Sequence, residues 1–251
     1  MKELIFESKI LDNSYPKKDV YNALQMRVYN NSAFEFETAE AMEAAFIGQT
    51  SDFSYSRVAN PTVQYFENKI TNITGALSVT ALNSGMAAIS NTLFTLAYSG
   101  ANIITSRHLF GNTYSLLNIT LRAFGVETRF CDLNNIEEVK KNIDANTCAV
   151  FLEIITNPQM EVTDLKALSE ITKEMGVPLV ADTTIVPFCA FKAKNFGINI
   201  EIVSSTKYIS GGATSLCGLI IDYGNFDWSH SQKLKDLFKQ QGFSTFSFKL
   251  K

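Results

Sequence analysis

Histidine is nearly absent: the chain has 251 residues and two histidines, His108 and His230. That scarcity argues against a histidine-built metal centre. A serine–histidine–aspartate triad would have to use one of the two, and no GxSxG turn accompanies either. Cysteine is also scarce. Cys131, Cys148, Cys189 and Cys217 stand far apart with no CxxC spacing, which fits buried free thiols better than a disulfide framework or a zinc knuckle. Neither GxGxxG nor GxxxxGK(S/T) occurs. Nicotinamide and nucleoside-triphosphate chemistry are therefore poor candidates.

Charge is modest. Charged residues make up 19% of the chain and the formal net charge is −3. With no basic run, there is no electrostatic footprint for nucleic acid. No uninterrupted apolar stretch approaches a membrane span, and the opening MKELIFESKILDNSYPKKD lacks the apolar centre of a secretory signal. The expectation is a soluble cytoplasmic protein that meets neither nucleic acid nor membrane. A hydrophobic content of 46% is an ordinary globular balance, and the length suits one large α/β domain or two modest ones.

What is present is alternation. Asn60-Pro61 reads as a helix cap and first turn; Val63, Phe66, Ile70 and Ile73 recur at helical spacing until Gly75. Strands are expected at 77–82, 101–106, VETRFCD, 147–154, 177–182, 199–206 and LCGLIID, with helices at 85–97, at 113–124 and in TDLKALSEITKEMG. Such a series predicts a mainly parallel sheet with helices on both faces. The first segment, 1–58, differs: an arm, an amphipathic AEAMEAAF helix and the aromatic loop FSYSR, suited to contacts with a second subunit. The remainder, 59–251, reads as the α/β domain, ending on a mixed Phe/Lys stretch without a closing element.

In an open parallel sheet, ligands sit beyond the carboxyl ends of the strands. The segments at those ends are Asn83-Ser84-Gly85-Met86, then His108-Leu109-Phe110-Gly111, Thr156-Asn157-Pro158, Asp182-Thr183-Thr184 and Ser204-Ser205-Thr206-Lys207-Tyr208. Ser84-Gly85-Met86 opening a helix offers a hydroxyl and free amides for a phosphate, to which Ser204 and Thr206 would add hydroxyls. Asp182 is an acid placed where water is scarce and wants a cation. Lys207 is an amine near both. Taken singly, each is more often a cap, a turn residue or a solvated charge. Together, on one rim, they match a phosphate, a cationic ring nitrogen and an imine-forming amine, the three needs of pyridoxal phosphate.

YSRVANPTVQYFE, NSGMAAI, HLFGNTY, EIITNP, VADTTIVP and SSTKYISGG, in this order, resemble the Cys/Met-metabolism group of pyridoxal-phosphate enzymes. That group includes O-acetylhomoserine sulfhydrylase, cystathionine γ-synthase and lyases, and methionine γ-lyase. The later stretch Gly224–Trp228 is similar to the O-acetylhomoserine sulfhydrylase branch. The resemblance implies an α/β fold of the pyridoxal-phosphate transferase type, as in aspartate aminotransferase, and pyridoxal 5'-phosphate as cofactor. It makes Lys207 the lysine joined to the cofactor and Asp182 the carboxylate on its ring nitrogen. Ser84, Gly85, Met86, Ser204 and Thr206 become the phosphate cup, Asn157 the contact to the ring's 3-oxygen, and Phe110 the aromatic face. Thr184 belongs to the same cofactor site. Tyr55 and Arg57 match the pair that reaches the phosphate of a neighbouring subunit, so a homodimer or homotetramer with shared sites is expected, with an amino acid and sulfide or a thiol as substrates.

Two departures stand out. The family's tyrosine on the cofactor face is Phe110 here, which keeps a stacking surface but not a phenol; a general acid contributes about 10²–10⁴ in rate, and Tyr114 is the substitute to consider. The family also continues well beyond position 251, into a domain carrying the arginine that grips the substrate carboxylate. Arg27, Arg57, Arg107, Arg122 and Arg129 do not match it. The expected chemistry is γ-replacement or γ-elimination on a homoserine- or homocysteine-type amino acid. A catalytically silent cofactor-domain portion is the alternative, and an unrelated sugar-phosphate or nucleotide binder a remote third.

Overall fold

The computed structural model describes residues 5–11, 21–231 and 233–235. The Phe/Lys ending at 236–251 and parts of the N-terminal arm lie outside them. Two compact units divide the chain after Ile73.

Among the described residues, the first unit holds helices α1 (Phe6–Leu11) and α2 (Ala39–Phe46) and nearly all of α3 (Pro61–Thr74). The Thr38 side chain caps α2 by accepting from the Ala41 amide at 3.1 Å, as an N-cap threonine does. α2 buries none of its residues. Asn60 begins α3 as its sequence suggests, accepting from Thr62 N at 2.9 Å while donating to Tyr29 O at 3.0 Å. Thr62 donates its hydroxyl to Arg27 O, and Ala33 bridges Tyr55. The stretch around 27–34 is thus tied to the stretch around 54–62 by backbone and short polar side chains.

The second unit is built on seven strands: β1 (Ser78–Leu82), β2 (Asn102–Thr105), β3 (Glu127–Phe130), β4 (Thr147–Glu153), β5 (Leu179–Asp182), β6 (Ile200–Ser204) and β7 (Gly218–Asp222). Their spatial order is β1-β7-β6-β5-β4-β2-β3. All pairings are parallel except those of β7, which runs antiparallel to both β1 and β6. A mainly parallel sheet is therefore correct, with one reversed strand inserted near an edge.

Alternation within the strands sorts the core. Ile103, Phe151, Val180, Ile200, Ile202 and Ile220 turn to one face, where they pack with Ala88, Ile89, Leu93 and Leu96 of helix α4 (Gly85–Leu96). Intervening residues such as Ile104, Val150, Leu152, Leu179 and Ile221 are equally buried. Both sheet faces are covered, which is why these strands read as near-continuous apolar runs. Each such side chain contributes about 1.5–3 kcal/mol. Among the last described residues, Lys233 donates to the carbonyls of Phe94 and Ala97, each at 2.7 Å, placing a cation at the negative end of α4.

Some local expectations change. The helix expected at 113–124 begins at Gly111, as α5 (Gly111–Ser115), and winds as a π-helix over Leu116–Leu121. Helix α6 (Ile136–Asn142), capped by Asn135, has one buried residue, Val139, and so little apolar signal that the sequence pattern does not predict it. Helix α7 (Leu165–Glu174) forms where a helix is expected and is capped by Asp164. The four thiols are free, but only Cys131 is buried; Cys189 is exposed, because it lies in the irregular segment after β5 and not in a strand.

Gly218 opens β7 directly against the turn that starts α4. A Cβ there would lie 2.0 Å from Ser84 O and 2.4 Å from Ser84 C. Backbone cannot yield as a side-chain tip does. Gly218→Ala should therefore lower the denaturation midpoint sharply, by an overpacking cost of about 1–3 kcal/mol or more. Gly212→Ala, whose Cβ would meet only Thr214 Cγ2 at 3.7 Å, should change it little. Equal midpoints for the two variants would contradict this packing.

Candidate active site

The strand ends do converge. One cavity of about 890 Å³ is lined by Ser84, Gly85 and Met86 after β1, Phe110 and Thr113 beyond β2, and Glu153 and Asn157 at the end of β4. It is also lined by Asp182, which ends β5, and Thr184 just beyond, and by Ser204, which ends β6, with Thr206, Lys207 and Tyr208 following it. Ten of the expected site residues share it: Ser84, Gly85, Met86, Phe110, Asn157, Asp182, Thr184, Ser204, Thr206 and Lys207. Tyr55 and Arg57 lie in the first unit, side by side, with the guanidinium 5.2 Å from the centre of the tyrosine ring.

At one end of the cavity is the N-terminus of α4. Ser84 caps it, its hydroxyl accepting from Ala87 N at 3.1 Å. The amides of Gly85 and Met86 belong to the first turn, which has no intrahelical acceptor. Gly85 has a steric reason as well: a Cβ there would stand 2.6 Å from Ser204 Cβ. Absent side chains let the helix start, β6 and β7 close on one another, leaving amides and hydroxyls together. Such a cradle suits a phosphate.

Asp182 lies opposite Glu153 across the β4–β5 pairing. Its carboxylate accepts from Thr184 N at 2.9 Å. The Thr184 hydroxyl in turn accepts from Ser204 N at 2.8 Å, so one threonine links the acid to the hydroxyl-rich end. Burial raises the pKa of Asp182, and the Thr184 contacts only partly offset this. The group is an acid stabilised by a cation placed in the cavity.

Two further buried acids lie near it, Glu153 in the cavity lining and Glu201 outside that lining, and neither is among the candidates read from the sequence. Glu153 is 7% exposed; burial, reinforced by the nearby Asp182 charge, pushes it up to about 7. Glu201 is buried on β6, accepts from the Thr183 hydroxyl at 2.5 Å and from the Tyr223 hydroxyl, and is raised by burial. A signal for Glu153 exists, since it closes the strand that leads into EIITNP. Glu201 gives none, because its partners, Thr183 and Tyr223, follow the ends of two other strands. Gly218 is equally hidden.

Tyr114 does not line the cavity. It stacks on Phe130 with ring centres 5.3 Å apart, so it does not replace the phenol that Phe110 lacks. His108 pairs with Glu161 at 2.6 Å on the surface.

Residues 7–246 match the model of the Cys/Met metabolism PLP-dependent enzyme family. The chain belongs to this family. L-methionine gamma-lyase of Fusobacterium nucleatum is 37% identical over 206 residues, which are 81% of this chain and 52% of that protein. O-acetyl-L-homoserine sulfhydrylase of Corynebacterium glutamicum is 34% identical over 218 residues, 86% of this chain and 50% of that one. A crystal structure of a putative O-acetylhomoserine (thiol)-lyase from Campylobacter jejuni superposes with a TM-score of 0.82 at 31% identity, covering 87% of this chain and 54% of that one. It carries a pyridoxyl-lysine phosphate. The chain spans about half the length of the curated relatives it matches.

The fold is therefore the α/β fold of this family, and its cofactor is pyridoxal 5'-phosphate. The cavity suits that group on its own chemistry: a helix start that lies close against Ser204 because Gly85 carries no Cβ, an acid that takes its hydrogen bonds from Thr184, and an amine in the same lining. Among the described residues, no helix is long and apolar enough to cross a membrane.

The raised carboxyls set a pH dependence. Asp182, Glu153 and Glu201 each hold a proton to higher pH in the folded chain than when unfolded, so the folded state binds more protons in that window. Stability is then fully present below the unfolded value near 4.5 and is lost as pH rises towards about 7, where Glu153 ionises. Chemical denaturation of the cofactor-free protein should show a lower midpoint at about pH 8 than at about pH 5. A flat or rising midpoint would contradict the assignment.

Proposed function

We propose that this chain forms the cofactor-holding part of an enzyme that performs γ-replacement on a homoserine-type amino acid, most like O-acetylhomoserine sulfhydrylase, with sulfide or a thiol as acceptor. The observation that carries the reading is the meeting of Asp182 and Lys207 in one cavity whose far end is the glycine-cleared start of α4. Relatives named sulfhydrylase and homocysteine synthase support replacement; the methionine gamma-lyase relative keeps γ-elimination as the neighbouring reading.

In this reading Lys207 holds the cofactor, and Asp182 keeps a proton on its ring nitrogen. Ser84, Gly85, Met86, Ser204 and Thr206 hold the phosphate, Phe110 covers one ring face and Asn157 meets the ring's 3-oxygen. Thr184 fixes Asp182 against the phosphate end. When bound, the protonated ring supplies a sink for the electron pair left by loss of the substrate's α proton. Once the substrate amine has taken its place on the cofactor, the freed Lys207 amine would take that proton and carry one at the next carbon. Phe110 shields the ring without donating a proton, so leaving-group protonation falls to another group or to the incoming thiol. Tyr55 and Arg57 reach the phosphate in a neighbouring copy, where the guanidinium fork suits a phosphate.

Purified protein given pyridoxal 5'-phosphate should retain a visible absorbance after desalting, and Lys207→Ala should lose it. With O-acetylhomoserine and sulfide, homocysteine should accumulate in a full-length context. A colourless wild type overturns the cofactor assignment, and a coloured protein that makes no homocysteine points to the silent alternative.

Arg57→Ala should weaken cofactor retention by about tenfold to a hundredfold, as loss of a charge-assisted contact does. In the full-length protein, mixing Arg57→Ala with Lys207→Ala chains should restore activity, because one composite site then carries both native residues. No recovery in mixtures shown to exchange subunits would rule out a shared site.

A further inference from the structure

Glu153 has a place that the assignments above leave unused. It closes β4, is almost fully buried and lines the cavity beside Asp182. Its two oxygens are both engaged. Oε1 accepts from Phe110 N at 2.6 Å, and Oε2 accepts from Asn157 N at 3.1 Å. One carboxylate thus joins the segment after β2 to the segment after β4.

The arrangement carries a cost. Two buried acids side by side repel, and burial alone disfavours the charge. An apolar residue would remove the repulsion but orphan two amides, and buried unpaired donors are expensive. Glutamine would satisfy one amide and turn its own NH₂ toward the other. Only a carboxylate accepts from both. Phe110 stands at the start of α5 and makes no side-chain cap of its own, so the Glu153 contact is what orients that peptide.

We infer that Glu153 is a positioning residue that clamps Phe110 and Asn157, setting the aromatic face and the polar edge between which the cofactor ring lies. This inference rests on the reading of the cavity as the cofactor's seat.

The test compares wild type, Glu153→Gln and Glu153→Asp. Cofactor affinity is followed by quenching of the single tryptophan, Trp228, and ring geometry by the visible circular dichroism of the bound cofactor. Glu153→Gln should bind about tenfold or more weakly and show an altered dichroic band. Glu153→Asp, which keeps both acceptors on a shorter stem, should recover part of each. Glu153→Gln that matches wild type in affinity and dichroism overturns the inference, as does weaker binding with an unchanged band. If Glu153→Gln does not fold, the amide proton shifts of Phe110 and Asn157 in wild type and Glu153→Asp decide: joint movement supports the clamp, and no movement overturns it. A wild type that binds no cofactor overturns the seat itself, and is distinct from a wild type that binds beside an equally competent Glu153→Gln.

Discussion

The site depends on a backbone laid on a backbone. Gly218 starts β7 against the Ser84–Gly85 peptide, and Gly85 lies against Ser204. Without these two missing side chains, the first turn of α4 could not sit flush with the ends of β6 and β7. The amides of that turn would be displaced from the hydroxyls of Ser204 and Thr206. The reversed direction of β7 matters here, because it brings the beginning of that strand, and not its end, to the rim where the parallel strands finish.

Around that contact the chain places three acids in a dry region. Asp182 is held by Thr184, Glu153 by two backbone amides, and Glu201 by two hydroxyls. None has a cation among these partners. Burial disfavours the charged form of each.

Belonging to the Cys/Met metabolism family fixes the kind of cofactor. The residues of this chain add two particulars. Phe110 offers a ring face without a phenol, and Tyr114 is turned away onto Phe130. Tyr55 and Arg57 are adjacent in the first unit.

Much of this is legible in the sequence, because the signals are local. Asn60, Ser84 and Asp164 announce helix starts through short polar side chains, and apolar runs announce strands buried on both faces. Asp182 ends one strand and Lys207 follows another, so the sheet rule alone brings them to one edge. Contacts between distant segments are not legible. Glu153 is defined by the amides of Phe110 and Asn157, Glu201 by Thr183 and Tyr223, and Gly218 by a peptide more than a hundred residues earlier. Strand order creates those neighbours, and nothing in the spacing of residues along the chain specifies strand order. Helix α6 and the exposure of Cys189 escape for the complementary reason: one has too little apolar surface to leave a period, and the other sits where no period exists. Local pattern is enough to say which groups reach the rim. Which of them touch is settled only when the strands pack, because contact depends on neighbours in space and not on order along the chain.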